Sequence, residues 1–338
     1  MSDSAVVAVV GAGSWGTALA LHAARLGRQV RLWARDSQVA REIERTGENA
    51  RYLPGIPLPG VEATASGERA LSGAALVVIA VPSHGVEGVL ALLSSVIPHT
   101  AVIVSATKGL DPRCGRPISR LLEALLPGRS IAVLSGPSFA REVAMGQPTA
   151  LVVAASDGDL ARRLQRDLSA RSFRLYTNRD VLGVELAGAL KNVMALATGL
   201  CDGLGLGENA RAALITRGLA EIVRLGAALG AQPSTFAGLA GLGDLVLTCT
   251  GTLSRNRALG RKIARGRTLA EAESATPMIA EGVRTTASAL RLARGVGIPM
   301  PICEEVGAVL FHDKAVREAL GDLLARDPRP EEEMGAIA

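Results

Sequence analysis

The chain has 338 residues, of which 48% are hydrophobic and 2% aromatic, and its formal net charge is +5. This length allows two domains, each with a core of its own, and no charge-free apolar run approaches the roughly 18 residues of a membrane span. The charge is spread along the chain and few aromatic rings are offered for base stacking, so we expect no nucleic-acid binding.

The cysteines and the N-terminus point to a reducing compartment. Cys114, Cys201, Cys249 and Cys303 are scattered and show no paired spacing for zinc or redox chemistry. The first residues lack the basic segment of a signal peptide. We therefore predict a cytoplasmic protein without a metal site.

The first predicted elements are a strand, a glycine turn and a helix. Val6–Val10 is a run of small, mostly β-branched residues, as expected for a strand buried on both faces. Gly11, Gly13 and Gly16 follow, and an Ala- and Leu-rich helix continues to about Arg25. In this setting the glycines serve a tight turn, close approach to a pyrophosphate and close helix–strand packing. The sequence predicts a dinucleotide site; the alternative is a glycine turn without a ligand.

The end of the second predicted strand bears on the choice of cofactor. Gln29–Trp33 has the pattern of this strand, and Arg35 and Asp36 follow it. A carboxylate here usually holds the ribose 2′-hydroxyl of NAD, whereas an arginine accommodates the 2′-phosphate of NADP. Arg35 favours NADP, and Asp36 leaves NAD open. A solvated loop with no cofactor role is the other interpretation.

Strands then alternate with helical segments up to about residue 178, the pattern of a doubly wound, mostly parallel α/β sheet. A loop at 49–59, rich in proline and glycine, is expected to cover the adenosine end of the cofactor. Ligand sites in such sheets lie beyond the carboxyl ends of the strands, which is where Thr107-Lys108 and Ser135–Ala140 fall. We predict the further strands at Leu76–Val81, Ala101–Ala106, Ile131–Leu134, Leu151–Ala155 and Phe173–Thr177.

Lysine is rare in this chain. Lys108, Lys191, Lys262 and Lys314 are the only lysines among 37 basic residues, so arginine is the default cation. A lysine differs from an arginine because its amine can lose a proton. Lys108, at the end of a predicted strand, is therefore a candidate functional residue; the alternative is an exposed loop cation.

The second half of the chain has Ala-, Leu- and Gly-rich helical patterns without strand signals. Asp180–Cys201 is predicted as a long helix in which Lys191 is the only charge between Glu185 and Asp202. Such a lysine either extends to solvent or lies in a cleft with a lowered pKa. Its neighbours are small, so we predict an active-site lysine.

A glycine-rich apolar run, Gly238–Gly251, follows a second predicted helix at Asn209–Leu229. Asp244 is the only charge in this run. Buried charges are normally paired, and the ammonium of Lys191 would satisfy this carboxylate. The alternative is an aspartate that caps a helix.

Hydroxyl, amide and guanidinium groups come next, at Thr252–Arg257. At this spacing they suit a phosphate, with Arg255 as the bidentate donor; a polar helix start is the alternative. The tail at 326–338 is predicted to be frayed. Closing helices are predicted around Glu281–Ala293, Cys303–Phe311 and Ala315–Ala325.

These motifs, taken in order, resemble one family over nearly the whole chain. They are Gly-Ala-Gly-Ser-Trp-Gly-Thr-Ala at 11–18, Ala-Thr-Lys-Gly at 106–109, Ser-Gly-Pro-Ser-Phe-Ala at 135–140, Glu-Leu-Ala-Gly-Ala-Leu-Lys-Asn-Val at 185–193, Gly-Leu-Gly-Asp-Leu at 241–245 and Ser-Arg-Asn-Arg at 254–257. So many ordered motifs are specific, although any one alone is not. The chain resembles the bacterial NAD(P)+-dependent glycerol-3-phosphate dehydrogenases.

The resemblance implies reversible reduction of dihydroxyacetone phosphate to sn-glycerol 3-phosphate, with NADPH preferred or with NADH, feeding phospholipid synthesis in the cytoplasm. It implies a homodimer whose chains have an N-terminal Rossmann domain (1–178) and an all-α C-terminal domain (179–338) of the 6-phosphogluconate dehydrogenase C-terminal type. Besides the glycines, the implied cofactor contacts are Ser14, Trp15, Arg35, Lys108, Ala140, Arg255, Ile279 and Glu281. The implied substrate contacts are Lys108, Gly136, Ser138, Lys191, Asp244, Ser254, Arg255 and Asn256. Ile279 departs conservatively from the valine common in the family.

Under this resemblance Lys191 is the proton donor in reduction and the general base in oxidation. Lys108 would add positive potential at the reacting oxygen, Asp244 and Asn192 would orient Lys191, and Arg255 and Asn256 would hold the phosphate. No histidine lies in a comparable cluster, which disfavours a histidine-based dehydrogenase. Two other functions stay open: another two-domain NADP-dependent hydroxyacid or ketoacid reductase, and a non-catalytic protein that senses NADPH.

Overall fold

The computed structural model describes residues 5–274 and 280–327, which form two compact units. The first unit contains the described residues up to Thr107 together with Ile118–Val181. The second contains Lys108–Pro117 and the described residues from Leu182 onward. The short segment Lys108–Pro117 therefore groups with the second unit, although both of its flanking segments belong to the first.

The first unit is built on one sheet of eight strands in the order β3-β2-β1-β4-β5-β6-β7-β8. The strands are β1 (Val6–Val10), β2 (Gln29–Trp33), β3 (Val61–Thr64), β4 (Ala74–Ile79), β5 (Val102–Ser105), β6 (Ile131–Ser135), β7 (Thr149–Ala154) and β8 (Phe173–Asn178). All neighbouring strands run parallel except β6 and β7. The predicted mostly parallel sheet is confirmed, and β3 is an addition to it.

Helices cover both faces of this sheet. Along β1, Val7 and Val9 belong to one hydrophobic cluster, whereas Val6, Ala8 and Val10 belong to another. This alternation is what a strand buried on both faces requires. The helices of the first unit are α1 (Ser14–Arg25), α2 (Ser37–Thr46), α3 (Gly67–Leu71), α4 (Val86–Leu93), α5 (Ile118–Leu125), α6 (Ala140–Ala144) and α7 (Gly158–Leu168).

The regular elements described in the second unit are helices, as predicted for an all-α domain. They are α8 (Val181–Gly203), α9 (Glu208–Ala228), α10 (Pro233–Phe236), α11 (Asp244–Thr250), α12 (Arg255–Ala264), α13 (Leu269–Ser274), α14 (Glu281–Val296), α15 (Pro301–Phe311) and α16 (Val316–Leu324). A π-helical turn, Leu239–Gly243, leads into α11. Ile279 and the predicted tail from residue 328 lie outside the described residues.

Glycines bring α8 and α12 into backbone contact. A Cβ on Gly199 of α8 would lie 2.2 Å from the main-chain oxygen of Arg257, and one on Gly260 of α12 would lie 2.3 Å from that of Leu196. Larger residues at either glycine would push the helices apart. A Cβ on Gly203, the last residue of α8, would likewise lie 2.9 Å from the main-chain oxygen of Arg261. The first two turns of α12 are therefore fixed beside the C-terminal part of α8.

One described helix, α8, is long and apolar enough to cross a membrane, and the bent pair Pro233–Thr250 and Arg255–Ala264 would qualify as a second span. In α8, 89% of the apolar window is buried inside the protein. The core helix of a folded unit has the same length and composition, and burial of this extent fits that role.

Candidate active site

The turn between β1 and α1 holds the glycines of the predicted dinucleotide site. Gly11 has a φ of +115°, and a Cβ there would lie 2.6 Å from the main-chain oxygen of Ala80. A Cβ on Gly16 would lie 1.9 Å from the oxygen of Gly11. The packing of the protein itself therefore excludes a larger residue at both positions.

Gly13 is a different case, because no described residue requires a glycine at this position. It precedes α1 with φ −72° and ψ 175°, a conformation open to any residue, and a Cβ there would meet nothing within 4 Å. Because glycine has no side chain, the start of α1 has no side-chain cap at Gly13. The start of a helix attracts anions. A glycine beside open space at this point fits a pyrophosphate that approaches the main chain. The residues present thus fit a dinucleotide cofactor.

The 49–59 loop is fastened to the glycine turn. Asn49 is 1% exposed and donates from Nδ2 to the oxygen of Ala12 (2.9 Å) and to Oγ1 of Thr17 (2.8 Å). Ser14 donates from Oγ to the oxygen of Tyr52 at 2.6 Å. Sequence reasoning missed Asn49, since one asparagine in a loop rich in proline and glycine gives no periodic signal.

Arg35 and Asp36 have different partners. Asp36 accepts from the N–H of Gln38 (2.9 Å) at the start of α2 and pairs with Arg51 at 3.1 Å. Arg35 is exposed and forms no hydrogen bond or ion pair with another described residue. The carboxylate is thus already engaged by α2 and Arg51, whereas the guanidinium is available to a ligand phosphate.

The loop after β6 lies at the carboxyl edge of the sheet, as predicted. Gly136 has a φ of +128°, and a Cβ there would lie 3.1 Å from Cα of Leu151. Ser138 donates from Oγ to the oxygen of Gly136 at 2.9 Å. Ala140 begins α6 and, like Trp15 in α1, packs half-buried against the same hydrophobic cluster. Strand β6 is thus followed by a turn whose backbone is held in place by packing against β7.

In the second unit, Asp244 accepts hydrogen bonds from two lysines. Lys108 Nζ lies 2.8 Å from Oδ2, and Lys191 Nζ donates to Oδ1. Asp244 is fully buried, and Lys191 is 6% exposed. The structure therefore brings together three residues that the sequence singled out separately. The Asp244 carboxylate pairs with ammonium groups, as expected for a buried charge.

The π-helical turn Leu239–Gly243 leads directly into this cluster. Gly241 permits the turn, because a Cβ there would lie 2.1 Å from the main-chain oxygen of Phe236. Turns of this kind are rare and are frequent at functional sites. Asp244 is the first residue after the turn, so the turn determines the position of the Asp244 backbone and of the carboxylate that it carries.

Burial sets the chemistry of Lys191. Desolvation lowers the pKa of its ammonium to about 7; the Asp244 carboxylate opposes this shift, and the charge of Lys108 adds to it. Thr248 accepts from Nζ of Lys191 at 2.9 Å and donates to the main-chain oxygen of Asp244 at 2.6 Å. Thr248 was also missed, although it lies one helical turn after Asp244. An amine with this pKa can give or take a proton at neutral pH.

Asn192 is hydrogen-bonded to the main chain of Lys108 and not to the amine of Lys191. Its Nδ2 donates to the main-chain oxygen of Lys108 at 3.2 Å, and its Oδ1 accepts from Nδ2 of Asn256 at 2.9 Å. Asn256 in turn accepts from the N–H of Gly282, also at 2.9 Å. This hydrogen-bonded row fixes the starts of α12 and α14 against the backbone at Lys108.

The two arginines at the start of α12 have different surroundings. Ser254 caps the helix by accepting from the N–H of Arg257 at 3.3 Å, so these residues form the capped start of α12. Arg255 is exposed and forms no hydrogen bond with a described residue. Partial desolvation lowers the pKa of its guanidinium, and the carboxylate of Glu281 opposes this shift. Arg257 is engaged by Asp202, with Nε 2.6 Å from Oδ2. Arg255 is therefore the one available to a phosphate.

Two family models match the chain. They are described as NAD-dependent glycerol-3-phosphate dehydrogenase N-terminus, over residues 6–161, and C-terminus, over residues 180–321. The chain belongs to the NAD-dependent glycerol-3-phosphate dehydrogenase family. The enzyme interpretation, with NAD or NADP as cofactor, is thereby confirmed over the non-catalytic sensor.

Similar proteins carry the same name. A glycerol-3-phosphate dehydrogenase (NAD(P)+) of Geobacter sp. (strain M21) is 51% identical over 329 residues, which cover 96% of this chain and 98% of that one. Its counterpart in Moorella thermoacetica is 50% identical over 330 residues, covering 97% and 98%. A crystal structure of glycerol-3-phosphate dehydrogenase from Coxiella burnetii has 42% identity and a TM-score of 0.93, covering 96% and 100%.

Proposed function

We propose that this protein reversibly reduces dihydroxyacetone phosphate to sn-glycerol 3-phosphate, with NADPH preferred over NADH. The observation that carries the proposal is the buried amine of Lys191, which is paired with Asp244 and has a pKa of about 7. Relatives with half of their residues identical bear the name of this activity.

Lys191 moves the proton of the reaction. A nicotinamide cofactor held at the Gly11–Gly16 turn would supply the hydride chemistry at C2 of the ketone. In reduction, the ammonium of Lys191 gives its proton to the C2 oxygen as the C=O double bond becomes a single bond; in oxidation, the neutral amine takes that proton back. Asp244 and Thr248 engage two of the three ammonium hydrogens, which leaves one for the substrate oxygen.

Lys108 and Asn192 support this step. The ammonium of Lys108 lies on the other carboxylate oxygen of Asp244, where it adds positive charge near a developing alkoxide. Asn192 holds the main chain of Lys108. Asp244 thus spaces two amines around one point at which a carbonyl oxygen can be received.

The start of α12 would hold the phosphate. The guanidinium of Arg255 suits bidentate binding of phosphate oxygens, and the positive end of the helix favours an anion. Asn256 keeps one amide hydrogen beyond the bond that it donates to Asn192. Ser254, Gly136 and Ser138 complete the proposed substrate contacts.

The remaining proposals concern the cofactor, the domains and the cell. Residues 1–178 would form the cofactor domain and 179–338 the substrate domain, in a cytoplasmic homodimer whose product supplies glycerophospholipid synthesis; the family resemblance supports these points. The proposed cofactor contacts are Gly11, Gly13, Ser14, Trp15, Gly16, Arg35, Lys108, Ala140, Arg255, Ile279 and Glu281.

Arg35 supports the preference for NADPH. We expect Arg35→Ala to raise the KM for NADPH by about tenfold, a usual scale for losing one charged hydrogen bond, and to leave the KM for NADH nearly unchanged. Arg162→Ala is the control, because Arg162 belongs to an exposed ion pair with Asp159. Equal effects of Arg35→Ala on both cofactors would contradict a 2′-phosphate role.

The activity is tested by following the oxidation of NADPH and of NADH in parallel, with dihydroxyacetone phosphate or with unphosphorylated dihydroxyacetone. We expect rapid oxidation with the phosphorylated ketone and slow oxidation without the phosphate. A folded protein that binds NADPH but oxidises neither cofactor with dihydroxyacetone phosphate would refute the proposal and favour another two-domain reductase.

A further inference from the structure

A largely buried ion cluster includes Arg257, two residues after the proposed phosphate anchor Arg255. The carboxylate of Asp202, near the end of α8, accepts from Arg211 on Oδ1 (2.6 and 3.0 Å) and from Arg257 on Oδ2 (2.6 Å). The three side chains are between 7% and 15% exposed. Charges that are this buried cost free energy to desolvate, which hydrogen bonds and pairing must offset.

Arg257 links this cluster to the loop that precedes α12. Its Nη1 donates to the main-chain oxygen of Thr250 at 2.7 Å, while its Nε holds Asp202. Thr250 ends α11, and its oxygen marks the point where the chain leaves for Ser254. Arg257 of α12 therefore ties the end of α11 both to its own helix and to Asp202 of α8.

Arg257 is held on its other side by the helix packing. The oxygen of Arg257 is the atom that a Cβ on Gly199 would strike, so its backbone rests on α8. Arg255 lies two residues earlier on the same first turn. Any shift of Arg257 would therefore move the guanidinium of Arg255 relative to Lys191, which is carried by the same α8.

We propose that Asp202 is a positioning residue, which acts through Arg257 to hold Arg255 where it binds the substrate phosphate. This inference rests on the proposed function. Asp202 lies 11 residues after Lys191 on α8, a rise of roughly 16 Å, so it does not touch the reacting atoms. Asp202 influences where the substrate phosphate is held, so replacing Asp202 should not change proton transfer by Lys191.

Three variants test this. Arg257→Lys keeps a cation for Asp202 but loses the fork that reaches Thr250, and Asp202→Asn removes the charge that holds the fork. For both we expect the KM for dihydroxyacetone phosphate to rise by about tenfold or more, because ground-state anchoring is lost, with kcat within about twofold of wild type. The KM for NADPH should rise less than the KM for dihydroxyacetone phosphate, because Arg255 is only one of several proposed cofactor contacts. Arg211→Gln is the matched control, since Arg211 binds the same carboxylate without reaching the loop; its KM stays near wild type.

Other results would overturn the inference. If Arg257→Lys and Asp202→Asn lower the melting temperature but do not raise the KM for dihydroxyacetone phosphate, the cluster stabilises the fold and does not position Arg255. If the KM for dihydroxyacetone phosphate rises equally in Arg211→Gln, the contact between Arg257 and the oxygen of Thr250 does not position Arg255. If Asp202→Asn does not fold, the KM of Arg257→Lys for dihydroxyacetone phosphate alone tests the inference. A wild type that is inactive on dihydroxyacetone phosphate defeats the proposed function, whereas an active wild type with an unchanged KM in Arg257→Lys defeats this inference only.

Discussion

Lys191 and Asp244 lie 53 positions apart in the chain, yet their side chains form an ion pair that is buried on both sides. Burial of the Lys191 ammonium is the largest influence on its pKa and lowers it to about 7. The Asp244 carboxylate raises this pKa, but it also holds Lys108, whose charge lowers it. The pair is therefore balanced between its two protonation states at neutral pH.

Lys191→Met should abolish most of the turnover and spare cofactor binding. The change removes the proton donor but leaves the glycine turn of the first unit intact, and loss of a general acid costs about 10²- to 10⁴-fold in rate. Steady-state kinetics and a fluorescence titration with NADPH measure the two effects. The matched control is Lys262→Met, since Lys262 is a partly buried lysine whose amine meets only the oxygen of Ala272 among the described contacts. Near-normal turnover of Lys191→Met would show that another group moves the proton.

The rate should depend on pH in opposite senses for the two directions. Oxidation of glycerol 3-phosphate needs the neutral amine, so its kcat should rise as the pH increases through about 7. Reduction needs the ammonium, so its kcat should fall over the same range. Thr248→Val removes an acceptor that favours the ammonium, and the pKa of Lys191 should fall further. We therefore expect the oxidation profile of this variant to move to lower pH; an unmoved profile would separate Thr248 from the titrating group.

Two glycines of the same motif should respond differently to alanine. In Gly13→Ala the new Cβ meets open space, so the melting temperature should stay near wild type while the affinity for NADPH falls. In Gly16→Ala the Cβ would lie 1.9 Å from the oxygen of Gly11, so the first unit should lose stability. Thermal unfolding and NADPH titration distinguish the two. Unaltered NADPH affinity in Gly13→Ala would mean that no phosphate approaches the chain there.

Glu221 should make stability depend on pH. This carboxylate of α9 is 3% exposed and accepts from the N–H of Ile302 (2.8 Å) at the start of α15. Burial raises its pKa from 4.5 to about 7, the N–H groups of Ile302 and Cys303 and the charge of Arg224 oppose this shift, and Glu304 adds to it. Because the folded state holds the proton more tightly, the contribution of this group to stability is full below 4.5 and is lost as the pH rises through about 7.

Glu221→Gln mimics the protonated form and removes this dependence. Its melting temperature relative to wild type should therefore increase between about pH 5 and about pH 8. Glu273→Gln, at an exposed position of α13, is the control and should follow wild type at each pH. A constant difference between Glu221→Gln and wild type would mean that Glu221 does not titrate in this window.

The sequence predicted most of the sheet because its strands are apolar runs bounded by turn residues. β1 and β2 have the predicted bounds. β3 was missed because Val61–Thr64 is short, half-exposed at its start and contains Glu62. The antiparallel direction of β7 was not predictable, since a buried run has the same pattern in either direction.

The site was predictable where a lone charge interrupts an apolar run, as at Lys191 and Asp244. It was not predictable where a contact uses the main chain, as between Asn192 and the oxygen of Lys108. The sequence also could not show which arginine of the 254–257 cluster is engaged within the protein. That depends on Asp202, which lies 55 positions from Arg257.

The grouping of Lys108–Pro117 with the second unit has a consequence for dissecting the enzyme. A fragment that begins near residue 179 would lack Lys108, one of the two amines on Asp244, and also Leu110, which belongs to the core of the second unit. The two halves expressed separately would each be incomplete. The gene therefore cannot be cut once to yield two working modules, and a chimaera that exchanges the helical half must carry this ten-residue segment with it.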